Sequence, residues 1–168
     1  MAPKARKLKQ YFAERITLAA FAQEPSQAIE DLEYQIESLG VNGIIGSSLG
    51  GFYAIYLAEK YRLRAVLINP SIHPYETTLR YLGDNTRDNG EHFLWRRDDL
   101  KALKKYAIPH PSHGRYMLML KRGDTVLDHR VAEKYLPAEK LVIEAGGNHA
   151  FENIEEYMKS IEIFLKNK

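Results

Sequence analysis

The stretch from Asn42 to Tyr53, Asn-Gly-Ile-Ile-Gly-Ser-Ser-Leu-Gly-Gly-Phe-Tyr, constrains this chain more than any other. It contains Gly-x-Ser-x-Gly with Ser48 at its centre, after the apolar run Val41–Ile45 and before a helix-like run from Phe52 to Tyr61. Strand, sharp turn and helix is the context of a nucleophile elbow. The pentapeptide alone arises by chance in roughly one chain in twenty of this length, so the context carries the reading. Gly46 and Gly50, two residues either side of the serine, are expected to be small because a Cβ would collide with the adjoining strand and helix. A serine at a helix N-terminus also lies beside backbone N–H groups that have no helical acceptor and can hold an anion. The plainer reading is a Gly/Ser-rich turn before a helix.

Around this stretch, 168 residues suit one domain, 1–168, with a sizeable core. Apolar residues make up 45% and charged residues 27%, the balance of a globular chain rather than a disordered one. A net charge of +2 gives no case for nucleic acid or an acidic membrane surface as partner. With no cysteine, disulfides, thiolate metal sites and a cysteine nucleophile are excluded. The basic residues Lys4, Arg6, Lys7 and Lys9 are not followed by an apolar segment of secretory type, and no apolar run approaches the ~20 residues of a membrane span. The expectation is a cytoplasmic protein without a membrane partner.

In chain order, residues 4–15 have the spacing of an amphipathic helix, with Ala5, Leu8 and Phe12 on one side. Residues 16–21 form a short apolar run suited to a buried strand. Pro25 and Ser26 are expected to open a second helix, with Ser26 a candidate cap, and Gly40 to end it. Further apolar strands are expected at 41–46, 64–69, 116–120 and 140–145, and helices at 50–61, 97–106, 129–136 and 152–166. Strands alternating with amphipathic helices predict an α/β fold: a mostly parallel sheet of about five strands with helices on both faces. Residues 71–114 lack a strand period and are rich in Pro, Gly, Asn, His and aromatic side chains. They are expected to form a helical or irregular lid insertion.

A neutral serine needs a base, and the base needs an orienting acid. Ser48, Asp124 and His149 each follow an apolar strand, the end at which a parallel sheet gathers reactive groups, and they occur in the order Ser, Asp, His. His149 would take the serine proton, Asp124 would orient the imidazole, and the Leu49 N–H would be one oxyanion donor. Asp124 also has the placement of a simple Asx turn. Asp128 is its rival as the acid, although its place before His129-Arg130-Val131 suits a helix cap. His110-Pro111-Ser112-His113 has the look of a metal motif, but no neighbouring carboxylate completes a set, so no metal is expected. Tyr75, Phe93 and Trp95, with Tyr81 and Leu94, are candidates for an apolar acyl-binding wall; ordinary packing is the equal alternative.

These segments together resemble the small YqiA-type esterases of the α/β-hydrolase superfamily. The matching pieces are Gly46–Ala54, Leu67–Ser71 with Pro74-Tyr75-Glu76, Tyr81–Asn85, Gly123–Asp128 and Gly146–Phe151. The resemblance implies an α/β-hydrolase fold and hydrolysis of carboxylic esters or acyl-CoA thioesters. It implies Ser48, Asp124 and His149 as the triad, with no metal or organic cofactor. It departs at the N-terminus. Such proteins begin with an apolar strand ending in His-Gly-Phe, whose loop supplies a second oxyanion donor, whereas this chain opens Met1-Ala2-Pro3-Lys4-Ala5. Two further expectations follow. Strand 16–21 would pair directly with 41–46, shift or leave a gap, and a half-formed oxyanion hole would cost about 10²–10³ in rate. A gap in the sheet would suit a homodimer, or a hydrolase-like scaffold that binds a ligand or partner with little turnover.

Overall fold

A computed structural model describes residues 3–86 and 90–166. In chain order the elements begin with helices α1 (Pro3–Phe12) and α2 (Pro25–Leu39), then β1 (Gly43–Ser48), α3 (Leu49–Tyr61) and β2 (Arg64–Pro70). A short α4 (Pro74–Thr77), a hairpin of β3 (Gly83–Thr86) and β4 (His92–Trp95), and α5 (Arg97–Lys105) follow. The chain closes with β5 (Arg115–Lys121), α6 (His129–Tyr135), β6 (Lys140–Glu144) and α7 (Met158–Lys166). Residues divide into two compact units, 1–40 with 73–107, and 41–72 with 108–168. The segment expected as a lid, 71–114, therefore contributes to both.

The second unit holds one sheet in the order β1-β2-β5-β6, every pairing parallel. The middles of the central strands are continuously apolar because both faces are covered: Ala65–Ile68 and Tyr116–Leu120 are 0–1% exposed. One core cluster joins Ala54, Ile55 and Ala58 of α3 to Leu67, Leu118 and Leu120 of the sheet and to Ala132 and Leu136 at α6. The periodic C-terminal face buries Ile154, Met158, Ile161 and Phe164, as its spacing predicts, but it starts later than 152. Ile154–Tyr157 is a 3-10 turn and α7 proper begins at Met158. No helix among the described residues is long and apolar enough to cross a membrane.

The first unit corrects three expectations. Residues 16–21 are not a strand, so the parallel sheet has four strands rather than about five. A side chain of α2 takes both backbone groups of Ala20, and a second takes the N–H of Ala22 just past the run. The Gln35 carboxamide accepts from Ala20 N (3.2 Å) and donates to Ala20 O (2.6 Å), and Asp31 accepts from Ala22 N (2.8 Å). The cap of α2 is Glu24, not Ser26: its carboxylate accepts from Ser26 N and Gln27 N at 3.0 and 2.7 Å. Residues 83–86 and 92–95 form an antiparallel hairpin where no strand period is visible. Exposure alternates along both strands, but the residues, Gly-Asp-Asn-Thr against His-Phe-Leu-Trp, do not alternate polar with apolar, so the sequence carries no strand period.

Candidate active site

Ser48 ends β1 with φ 53° and ψ −124°, a strained conformation for a residue with a side chain, and Leu49 is the first residue of α3. The Ser48 side chain makes no capping hydrogen bond to that helix. Its carbonyl accepts from Ser71 N at 2.9 Å. The elbow needs its glycines, though not at the expected pair of positions. A Cβ on Gly46 would stand 2.4 Å from the Gly50 carbonyl oxygen and 2.7 Å from Ala54 Cβ. A Cβ on Gly51 would stand 2.6 Å from Pro70 Cβ, whereas one on Gly50 would meet nothing within 4 Å. The close approaches are therefore strand to helix at Gly46 and helix to β2 at Gly51.

Asp124 lies in the turn after β5 and His149 in the loop after β6. The structure joins them: His149 Nδ1 is 2.7 Å from Asp124 Oδ2. An ionised carboxylate only accepts, so this contact puts the proton on Nδ1 and makes Nε2 the basic nitrogen. The Asp124 side chain is 2% exposed and that of His149 25%. The Asx-turn reading also holds, on the other oxygen: Asp124 Oδ1 accepts from Val126 N (2.8 Å) and Leu127 N (3.0 Å). One carboxylate thus fixes its own loop and holds the imidazole. Asp128 is spent elsewhere. It caps α6 through Arg130 N (3.0 Å), and the Arg130 guanidinium paired with it holds its carboxyl down at about 2.

Of the remaining candidates, Tyr75, Phe93 and Trp95 all belong to the first unit. The Tyr75 hydroxyl lies 2.9 Å from His73 Nδ1, Phe93 is half-buried, and buried Trp95 donates its indole N–H to Thr78 Oγ1 at 3.3 Å. His113 belongs to a turn held by Glu59, whose carboxylate accepts from the backbone N–H groups of Ser112, His113 and Gly114 at 2.8–2.9 Å. No group of three or more His, Cys, Asp or Glu side chains that could hold a metal occurs among the described residues.

Sequence reasoning missed the residues that hold the histidine loop. Asn69 (2% exposed) accepts from Lys121 N at 3.0 Å and donates to the carbonyls of Asn148 (3.3 Å) and His149 (3.2 Å). The buried Lys121 ammonium pairs with Glu144, donates to Asn153 Oδ1 (2.6 Å) and lies 4.3 Å from the Phe151 ring centroid. A polar residue ending an otherwise apolar strand was the available signal in both cases.

Residues 2–166 match the family described as "Uncharacterised protein family (UPF0227)". This chain belongs to the UPF0227 family. It is 27% identical over 122 residues to the UPF0227 protein YcfP of Salmonella paratyphi A, an alignment covering 72% of this chain and 63% of that protein. A UPF0227 protein of Shewanella loihica is 28% identical over 127 residues, covering 74% and 64%. The chain thus aligns with less than two thirds of the length of these relatives. Among solved structures, Est1E from Butyrivibrio proteoclasticus superposes with a TM-score of 0.68 at 11% identity, over 97% of this chain and 81% of its own. The esterase domain of a Rhodothermus marinus protein gives 0.64 at 16% identity, over 96% and 78%. At such identities the likeness carries the α/β-hydrolase fold.

Proposed function

We propose that this UPF0227 member is a serine hydrolase that cleaves carboxylic esters, acyl-CoA thioesters included, through an acyl-enzyme on Ser48. The observation that carries the reading is the Asp124–His149 pair at 2.7 Å, in the same unit as a serine held at a strained elbow. Esterases among the structural neighbours support it at the level of fold. Every part follows an end of a parallel strand, where such sheets place their chemistry.

In this reading His149 Nε2 takes the Ser48 proton as Oγ bonds to the acyl carbon, and the carbonyl π pair moves onto oxygen. The Leu49 N–H, at the first position of α3 and outside the helical ladder, donates to that oxyanion. Asp124 Oδ2 stabilises the imidazolium. Collapse of the intermediate breaks the bond to the leaving oxygen or sulfur, which receives the proton from Nε2. Water then repeats the sequence on the acyl-enzyme and frees Ser48.

A fluorophosphonate probe tests this directly. The wild-type protein should label at one site, and Ser48→Ala should abolish both labelling and hydrolysis of p-nitrophenyl acetate. Asp124→Asn should lower kcat by about 10³–10⁴, since the wrong imidazole tautomer then faces the serine. Asp128→Asn should leave kcat within about threefold. Labelling that persists in Ser48→Ala removes the assignment; a folded wild-type protein inert to the probe leaves the binding scaffold as the reading.

A further inference from the structure

We infer that Asn69 is a positioning residue that sets His149 against Asp124, an inference that rests on the hydrolase reading for its kinetic consequence but not for its geometry. The parallel register of β1 and β2 runs Ser47 with Ile68 and then Ser48 with Pro70, so Asn69 is the extra residue of a bulge. A bulged residue is released from strand alternation and its side chain is re-aimed. Asn69 has φ 41°, a left-handed conformation that asparagine tolerates better than other residues with a side chain. That conformation is maintained at a buried position, and the carboxamide it places there is fully used.

The partners require both halves of that carboxamide. The Lys121 N–H takes its oxygen as acceptor, and the carbonyls of Asn148 and His149 take its nitrogen as donor, the former beside the Phe151 N–H. One orientation satisfies all three, with oxygen toward β5 and nitrogen toward the histidine loop. No other side chain of this length offers an acceptor and two donors. Aspartate would turn a buried charge on two carbonyls, and leucine would take this partner from all three backbone groups, leaving the Asn148 carbonyl with the Phe151 N–H at 3.2 Å.

Consequently the backbone at His149 is fastened to the end of β2, one residue before the strand ends at Pro70 opposite Ser48. The same carboxamide holds Lys121 N, and Lys121 O accepts from Asp124 N at 3.1 Å. Asn69 therefore grips the acid turn and the base loop at once. The imidazole then has only its own side-chain torsions left, and the 2.7 Å contact to Asp124 settles those. Asn69 touches no reacting atom; it acts through His149.

The test uses Asn69→Asp and Asn69→Gly in the full chain. Glycine removes the carboxamide while relaxing the left-handed backbone, so its effect cannot be attributed to strain. The first readout is the low-field proton NMR resonance of His149 Nδ1–H, identified by its loss in His149→Ala. It should be sharp in the wild type and broadened or absent in both variants. The second is p-nitrophenyl acetate hydrolysis: kcat should fall about 10²-fold, as expected for a base displaced by about 1 Å, with KM within twofold. An unchanged resonance in Asn69→Gly with kcat within threefold of wild type overturns the inference. So does a fall in kcat matched by an equal loss of folded protein in the far-UV spectrum, with the resonance of the folded fraction intact. If wild-type Ser48 proves unreactive, the hydrolase reading fails, while the resonance still decides whether Asn69 holds the pair.

Discussion

Beside the nucleophile, two glycines four residues apart in sequence have opposite tolerances. A methyl group on Gly46 meets a backbone oxygen and the Cβ of Ala54, neither of which can swing aside. Gly46→Ala should cost about 1–3 kcal/mol or prevent folding, and should depress probe labelling of whatever protein folds. Gly50 sits in the first turn of α3 with open space where its Cβ would be. Gly50→Ala should be neutral or stabilise by up to about 1 kcal/mol, by restricting the unfolded chain. Paired urea denaturation curves decide the matter, and the reverse order of stabilities contradicts the packing described. The motif Gly-x-Ser-x-Gly was legible in the sequence. Which glycine is under pressure was not, because that depends on where Pro70 and Ala54 arrive in space.

Helix α3 and strand β5 are tied together at the end remote from the site by one carboxylate. Glu59 is buried, which opposes its ionisation, but three backbone N–H groups and the Tyr116 hydroxyl outweigh burial and bring it down to about 2. The same bond and burial push the Tyr116 phenol well above its ordinary value. A group whose folded pKa is depressed contributes stability that is complete above its ordinary value near 4.5 and lost as pH falls toward 2. Glu59→Gln should therefore destabilise by about 1–3 kcal/mol at neutral pH, and the gap from wild type should narrow steadily below pH 5. Denaturation midpoints measured from pH 7 to pH 3 show this; a constant gap would mean that the carboxylate is not what holds residues 112–114. Nothing in the sequence pairs Glu59 with a loop more than fifty residues away. The helix that carries it, in contrast, is plain from its apolar run.

Across the whole second unit, the carboxyl ends of all four strands are cross-linked. Ser71 N binds the Ser48 carbonyl, Asn69 spans to Lys121, and Lys121 pairs with Glu144, which also accepts from Asn153 and Tyr157. The Lys121 ammonium pulls the Glu144 carboxyl below the usual range, and Glu144 in turn raises the Tyr157 phenol to about 12. Removing a buried cation from such a set leaves its partners unpaired. Lys121→Met should cost about 3 kcal/mol, measurable by urea denaturation. It should also slow probe labelling of Ser48, because the loop carrying His149 is anchored there. Stability lost with labelling rate untouched would separate this network from the chemistry.

Much of the architecture could be read before the structure. Four apolar runs became the four parallel strands, and Ser48, Asp124 and His149 were marked by following three of them. That much depends on local composition: a strand covered on both faces must be continuously apolar, and a reactive side chain must come where it stops. Residues 16–21 show the limit, since an apolar run becomes a strand only if a neighbour offers a ladder, and here the Gln35 carboxamide takes both backbone groups of Ala20 instead. The antiparallel pairing of 83–86 with 92–95 and the grip of Asn69 on two carbonyls about eighty residues away were decided only in three dimensions. Each is a matter of which polar groups are left without water and which side chain is near enough to satisfy them, and distance along the chain carries no record of that.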